Sequence, residues 1–514
     1  MFFEILIKFL RKITDSQRNT YICIKKELTI FKESVMNAKI AHFSELSNIL
    51  GDKNAMCKDF IRLIGQFGIA SSLSRIGMEK EKGAKVSDLL SCLIIFRLCG
   101  MSVFESYQAQ FMSLINGGKN QFYRLLVRPN MNWRKLLLGI CKTFFRIVEK
   151  KSIEKLADTR YYILDDTTLE KTGYTIEGIG KVFDHVFQRY VLGFKCQVLA
   201  ISDKVSTLVV DFSMHAEATK KGNYGLTSKQ LKNRTVIKRK DGDCLKNRVK
   251  ELDEQKPAVA LEMIRRAWKN GIHASYLLMD KWYFGIDLIR GVRKIADGAI
   301  HIVTLLRDKR TKFQYDGKEK SARELMLSLG KNMKSCRKYK CRWVSALALY
   351  QDIPVRLFFV KYGHATDFEV IVTTDTKLKF VEAFETYQIR WSIEVINKEC
   401  KQYLGLGSQQ STNMNAQFAD ATIVFMGYNM LTLAKRFSDY ETLGGLFHEI
   451  QKETLELTFF ERTLPLIVEL LTMEAELLGY SIDDVIERAM VDEAYNHKLL
   501  CILNSYQDVK EHRA

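Results

Sequence analysis

Four side chains between Tyr387 and Lys401 are of types that act on phosphate. The stretch reads YQIRWSIEVINKECK. On a helix turning about 100° per residue, Tyr387, Arg390, Glu394 and Lys401 fall within an arc of about 60°. A guanidinium and an ammonium bind phosphate oxygens, and a carboxylate between them can hold a metal ion at one of those oxygens. The same face also fits a salt-bridged amphipathic helix, since Glu394 and Lys398 form an i,i+4 pair. Metal-assisted chemistry needs further carboxylates, so the elements that carry other acids to this face decide between the two readings.

The spacing Y-x2-R-x3-E-x6-K, with Trp391 beside the arginine, resembles the signature around the third catalytic carboxylate of insertion sequence 4-type DDE transposases. That resemblance implies a ribonuclease H-like core with two more acids upstream, each at a strand end. The sequence offers Asp166 in YYILDDTTLE and Asp280 in LLMDKWYFG. Asp166, Asp280 and Glu394 are therefore the expected catalytic and metal-binding trio. Gathered carboxylates repel one another and need cations to stay ionised. Two Mg²⁺ ions, with Mn²⁺ as a substitute, would activate a water or a 3′-hydroxyl and stabilise the leaving oxygen. Asp165 competes with Asp166, because adjacent strand residues point to opposite faces. The family's first acid is commonly followed by a small residue and Thr, which favours Asp166. By the same resemblance Tyr387, Arg390 and Lys401 grip phosphates of a DNA end, and an aromatic in the inserted β region, here Trp343, stacks on a flipped base. Trp282 and Tyr283, just after Asp280, read as core residues.

The elements predicted to position these residues change character along the chain. Residues 1–155 read as helical, a candidate DNA-end-binding region, with helices at Met1–Thr14, Ile22–Met36 and Val86–Leu98 and one from Trp133 to Lys151 capped by Asn132. Short β-prone runs follow: one at Tyr161–Leu164, one at Tyr190–Ile201 and one at Val205–Phe212. A helix opened by Pro257, a strand at Ser275–Met279, a helix at Phe284–Ala296 and a strand at Ala299–Leu306 complete a β-β-β-α-β-α-β order. The expected fold is thus an α/β ribonuclease H-like core with a mixed sheet, at 156–306 and 379–410. A mainly β insertion at 307–378 interrupts it, and a helical, acidic region at 411–514 follows. Lys220–Lys250, with eleven Lys/Arg against Asp241 and Asp243, reads as a solvated basic loop. His185 and His215 lie in no nucleophile motif and read as structural.

Composition narrows the partner. The 514 residues are 47% hydrophobic and carry a formal charge of +19, with pI about 9.3. The charge is uneven: residues 438–514 hold 16 Asp+Glu against 6 Lys+Arg, whereas residues 1–437 hold 73 basic against 44 acidic, a net of +29. Such a surface suits a polyanion. The most apolar run, Val86–Met101, is too short and too charged to span a bilayer. Eleven cysteines without a CxxC pair argue against structural zinc and suit a reducing compartment. The expectation is a bacterial insertion-sequence transposase of the cytoplasm, at the nucleoid. It would bind double-stranded inverted-repeat ends and target DNA, and act as a homodimer in the synaptic complex. The competing readings are a DNA-binding protein that has lost catalysis, and a metal-dependent nuclease that cuts but does not join.

Overall fold

The computed structural model describes residues 64–78, 83–108, 118–151, 159–363, 365–438, 440–452 and 479. The chain divides into two compact units. The larger comprises residues 63–103 and 119–447. The other comprises 1–62, 104–118 and 448–514, of which few residues are described. The helices expected at Met1–Thr14 and Ile22–Met36, and those beyond residue 452, lie outside the described residues.

The larger unit is built on one mixed sheet. Strand β1 (Tyr161–Glu170) is followed by β2 (Gly180–Asp184), β3 (Arg189–Ser202) and β4 (Thr207–His215). Strands β5 (Tyr276–Met279) and β6 (His301–Leu305) come next. β3 lies antiparallel between β1 and β4, while β1, β5 and β6 run parallel. The spatial order β4-β3-β1-β5-β6 is that expected of a ribonuclease H-like core. β2 is an addition: it pairs with residues 189–193 at the start of β3, so the two form a hairpin that runs past the end of β1. β1 is also longer than its apolar run. Ladder pairing with β3 continues through Glu170, so the two aspartates sit within the strand rather than after it.

The region from 307 to 378 extends the same sheet. Strands β7 (Lys312–Tyr315), β8 (Lys318–Ser321), β9 (Lys334–Cys336), β10 (Cys341–Tyr350), β11 (Ile353–Tyr362) and β12 (Glu369–Thr373) are antiparallel neighbours, and β12 pairs with β6. They enclose their own apolar layer, with Phe313, Leu325, Leu357 and Phe359 almost fully buried.

Helices cover the faces of the sheet. They include α1 (Val86–Leu98), α2 (Trp133–Lys151), α3 (Lys256–Lys269), α4 (Ile286–Ile295), α5 (Phe380–Gln388), α6 (Ser392–Gln402) and α7 (Met414–Arg436). Asn132 caps α2 by accepting from the Lys135 N–H at 3.0 Å. From Met414 to Leu433 every residue of α7 is buried, so this helix is hydrophobic all round because it runs through the interior. Its Asn429 side chain donates to the carbonyl oxygen of Val209 and accepts from that residue's N–H, both at 2.9 Å, clamping α7 onto β4. The helices expected to form separate N- and C-terminal regions, α2 and α7, thus belong to the unit that contains the sheet. Asp211 of β4, fully buried, joins the layers. It accepts from Arg134 of α2 at 2.9 Å and from Arg266 of α3 at 2.8 Å, with Arg248 at 3.6 Å. The supposed basic loop is therefore partly internal. Arg248 is 2% exposed, its guanidinium over the Phe212 ring, and Arg239 pairs with buried Glu177 at 2.6 Å.

Candidate active site

Strand register brings the first two acids together. Leu164 of β1 stands beside Met279 of the parallel strand β5. One residue further, Asp165 comes level with Asp280. Side chains alternate along a strand and neighbours in register share a face, so Asp165 and Asp280 point to the same side and Asp166 to the other. Asp280 ends the strand because its carboxylate caps the next turn, accepting from the Trp282 N–H at 2.8 Å.

The third acid arrives on α6. The stretch from Tyr387 is not one uninterrupted α-helix: α5 ends at Gln388, Ile389–Trp391 forms a 3₁₀ turn, and α6 starts at Ser392. Arg390 lies in that tightened turn. Its guanidinium donates to Glu394 at 2.7 Å and to Asp165 at 3.2 Å, tying helix to strand. Glu394 thus pairs backward with Arg390. Tyr387 is half-buried, and the Arg390 guanidinium carbon lies 5.6 Å from its ring centre. Burial pushes its hydroxyl up to about 12, with the Asp280 charge adding to the rise. Lys401 is exposed in the last turn of α6.

Electrostatics separates the two neighbouring aspartates. Burial raises the Asp165 carboxyl to about 7, and the charges of Asp166 and Asp280 add to the rise against the pull of Arg390. Burial acts on Asp166 too, but Lys256 at 3.0 Å and Lys195 at 3.5 Å outweigh it and hold its carboxyl below the usual range. Asp166 has its cations already, on the face opposite α6. The expectation that Asp166 faces Glu394 is therefore not met in this arrangement; Asp165 holds that position. The cue was available in the strand's alternation, but choosing the parity required the register with β5.

The donor set suits a hard divalent cation. Asp165 is a half-buried carboxyl whose one cationic partner, Arg390, is shared with Glu394, with a second carboxylate alongside, and all are oxygen donors of the kind Mg²⁺ takes. Among the described residues no three acidic, His or Cys side chains converge on one point. The guanidinium of Arg390 stands between Asp165 and Glu394 as their counter-charge.

Other expected contacts fall differently. The face of Trp343 is stacked on Phe380, with ring centres 4.6 Å apart and planes 10° from parallel, and so is taken by the protein's own aromatic. Of the aromatics after Asp280, Tyr283 is core and takes a hydrogen bond from Gln197 at 3.2 Å. Trp282 is 42% exposed, with the Lys256 ammonium 5.1 Å from its ring centre. His215 is buried and hydrogen-bonded to Ser213 at 2.8 Å.

Two family models match this chain. Residues 113–318 match the DDE superfamily endonuclease, a stretch that holds Asp165, Asp166 and Asp280. Residues 243–430 match the transposase DDE domain, which holds Asp280 and Glu394. Both support a DDE-type transposase or endonuclease. No curated protein matches the chain. Among the described residues no helix is long and apolar enough to cross a membrane.

Proposed function

We propose that the chain is the DNA transposase of a bacterial insertion sequence, cutting at terminal inverted repeats and joining the freed 3′ ends to target DNA. The observation that carries the proposal is the Arg390 bridge. It links an acid on the central strand to an acid on α6, beside a third acid at the end of the neighbouring strand. The two DDE matches support the same reading.

Asp165, Asp280 and Glu394 would hold Mg²⁺, whose chemistry is to polarise a phosphodiester and lower the pKa of the attacking water or hydroxyl. The chain's own residues prepare the site. Burial keeps Asp165 in a poorly solvated pocket where charges act strongly. Arg390 satisfies two of the acids while no other cation is present, and its fork suits a phosphate oxygen pair equally well. Tyr387, held against Arg390, and exposed Lys401 extend the phosphate-binding face along the helix. Asp166 has a positioning role in this account: with Lys195 and Lys256 it fixes β1 against β3 and α3. The synaptic homodimer is part of the proposal, formed partly by the acidic C-terminal region at 438–514.

The test is strand cleavage and strand transfer on the element's own ends in Mg²⁺. Glu394→Gln and Asp280→Asn should abolish both steps and leave DNA binding within about twofold. A protein whose biological activity survives Glu394→Gln is a DNA-binding protein instead. One that cuts but fails to join pre-cleaved ends is a nuclease.

A further inference from the structure

The basic segment between β4 and α3 is an ordered strap, and it sorts its cations by type. Its inner side is held by backbone and by arginine. The Gly178 N–H donates to the Thr235 carbonyl at 2.9 Å, and the Lys181 N–H to that of Tyr224 at 2.8 Å. Arg234 donates to the carbonyls of Ile179 and Gly178 at 2.9 and 3.2 Å. Arg239 forks onto buried Glu177 at 2.6 and 2.8 Å, and Glu177 also accepts from the Ile237 N–H at 2.9 Å. Arg248 lies in the core. A short helix, Ser228–Asn233, is closed by a capping box of Thr227 and Gln230. The outer side is lysine. Lys220, Lys221, Lys229, Lys232, Lys238 and Lys240 are all exposed. The acids nearest them in the strap are spent elsewhere: Asp241 pairs with Lys246, and Asp243 lies 3.7 Å from Arg239. Among the described residues no ion pair reaches the six lysines. Val236 and Ile237 are exposed among them, too few to make an apolar docking face.

We infer that this lysine face is a second DNA contact, a sequence-independent grip on the phosphate backbone of the duplex whose strand the acids cut. The inference rests on the transposase reading. The strap is rooted beside the acids. Glu217, where it leaves β4, accepts from Lys256 at 3.1 Å, and Lys256 holds Asp166, the neighbour of Asp165, at 3.0 Å. Three features select duplex phosphate as the occupant. Lysine is a hydrated point charge that suits a phosphate oxygen, and it is depleted from protein–protein interfaces. A single strand would be gripped by stacking its bases on aromatic rings. The strap's one aromatic, Tyr224, is half-buried and capped by Arg234, whose guanidinium carbon is 3.5 Å from the ring centre. The third feature is charge density. The chain's own anionic competitor is the 438–514 region, where 16 acids against 6 bases leave a net of −10 spread along the polypeptide. A duplex carries one charge per about 1.7 Å of axis, and it releases condensed counterions when lysines meet it. That release favours the duplex over the acidic region.

The test measures binding of the full chain to a random-sequence duplex of about 30 base pairs, across about 50–200 mM salt. Lys229→Gln, Lys232→Gln, Lys238→Gln and Lys240→Gln together should reduce the slope of log affinity against log salt by about 2. Affinity at about 100 mM salt should fall about a hundredfold, as expected for about two lost phosphate contacts. Arginine at the same four positions should keep both slope and affinity. The melting temperature should hold in either variant, since all four side chains are exposed. Acetylation of the wild-type chain by an N-hydroxysuccinimide ester gives a readout independent of how any variant folds: the duplex should protect the four lysines. An unchanged slope, or lysines acetylated as fast with the duplex as without it, overturns the strap contact and leaves the transposase reading standing. A wild-type chain that binds no duplex overturns both. A glutamine variant that binds the duplex more tightly than wild type shows that the acidic region occupies the strap, and this too overturns the inference.

Discussion

Asp165 and Asp166 are chemically identical, adjacent, and differently employed. One faces Arg390, Glu394 and the flank of Asp280; the other is held by Lys195 and Lys256. Asp165→Asn should abolish cleavage with little loss of stability, because it removes a charge that desolvation and the neighbouring Asp166 and Asp280 disfavour despite Arg390. Asp166→Asn should leave the buried Lys195 ammonium without its carboxylate, while Lys256 keeps Glu217, and destabilise the fold by about 3 kcal/mol, the low end of the cost of breaking one side of a buried pair. Cleavage assays and denaturant titrations on the two variants should move in opposite directions. His215 gives a pH prediction. Burial first, and the Lys256 charge next, hold its ring down to about 4 from the ordinary 6.5. The unfolded chain therefore takes up the proton first. The stability His215 contributes is complete above about pH 6.5 and is lost progressively as pH falls toward about 4. Urea titrations across that window should show a slope that His215→Gln flattens. The alternation of a strand could be read from the sequence, and with it the statement that only one of the two aspartates faces the site. Which one required the pairing of Leu164 with Met279, a contact between residues 115 apart.

At the scale of elements, most helices and strands followed from apolar spacing. α1 and α2 have their expected bounds, and the Asn132 cap is in place. Asn132→Ala should cost about 1 kcal/mol, measured by denaturant unfolding. What the pattern missed was β2. Its five residues GKVFD lie in a glycine-punctuated stretch, and only the partner strand makes them a strand. The same partner strand explains Gly193, where β3 passes from its pairing with β2 to its pairing with β1. A Cβ there would lie 2.1 Å from the carbonyl oxygen of Leu169. Gly193→Ala should therefore destabilise by about 2 kcal/mol or more, as overpacking against rigid backbone does. The helix from Tyr387 was legible as a face, but the 3₁₀ turn at Arg390 was not, because its local sequence differs little from that of an α-helix.

For the whole molecule, charge asymmetry was legible and assembly was not. A count of lysines and arginines predicts a polyanion partner, but not that Arg134, Arg248 and Arg266 are spent inside on Asp211. The basic surface is accordingly smaller than the formal charge suggests. DNA affinity should still fall steeply with salt, by about tenfold or more between 50 and 200 mM, through counterion release. A flat salt response would contradict an extended phosphate contact. The apolar spacing of α7 was visible, but its burial on every side was not, since an all-round apolar helix becomes intelligible only once α2 and β4 are seen around it.

The central claim is that Asp165, Asp280 and Glu394 serve one cation site. Iron-directed backbone cleavage tests it without relying on enzymatic activity. Fe²⁺ in place of Mg²⁺, with ascorbate and peroxide, should cut the chain at three places, close to residues 165, 280 and 394. Excess Mg²⁺ should suppress all three cuts together, and Arg390→Ala should strengthen them. A cut near residue 256 in place of the one near 394, or a Glu394 segment left intact while the other two are cut, would contradict the account.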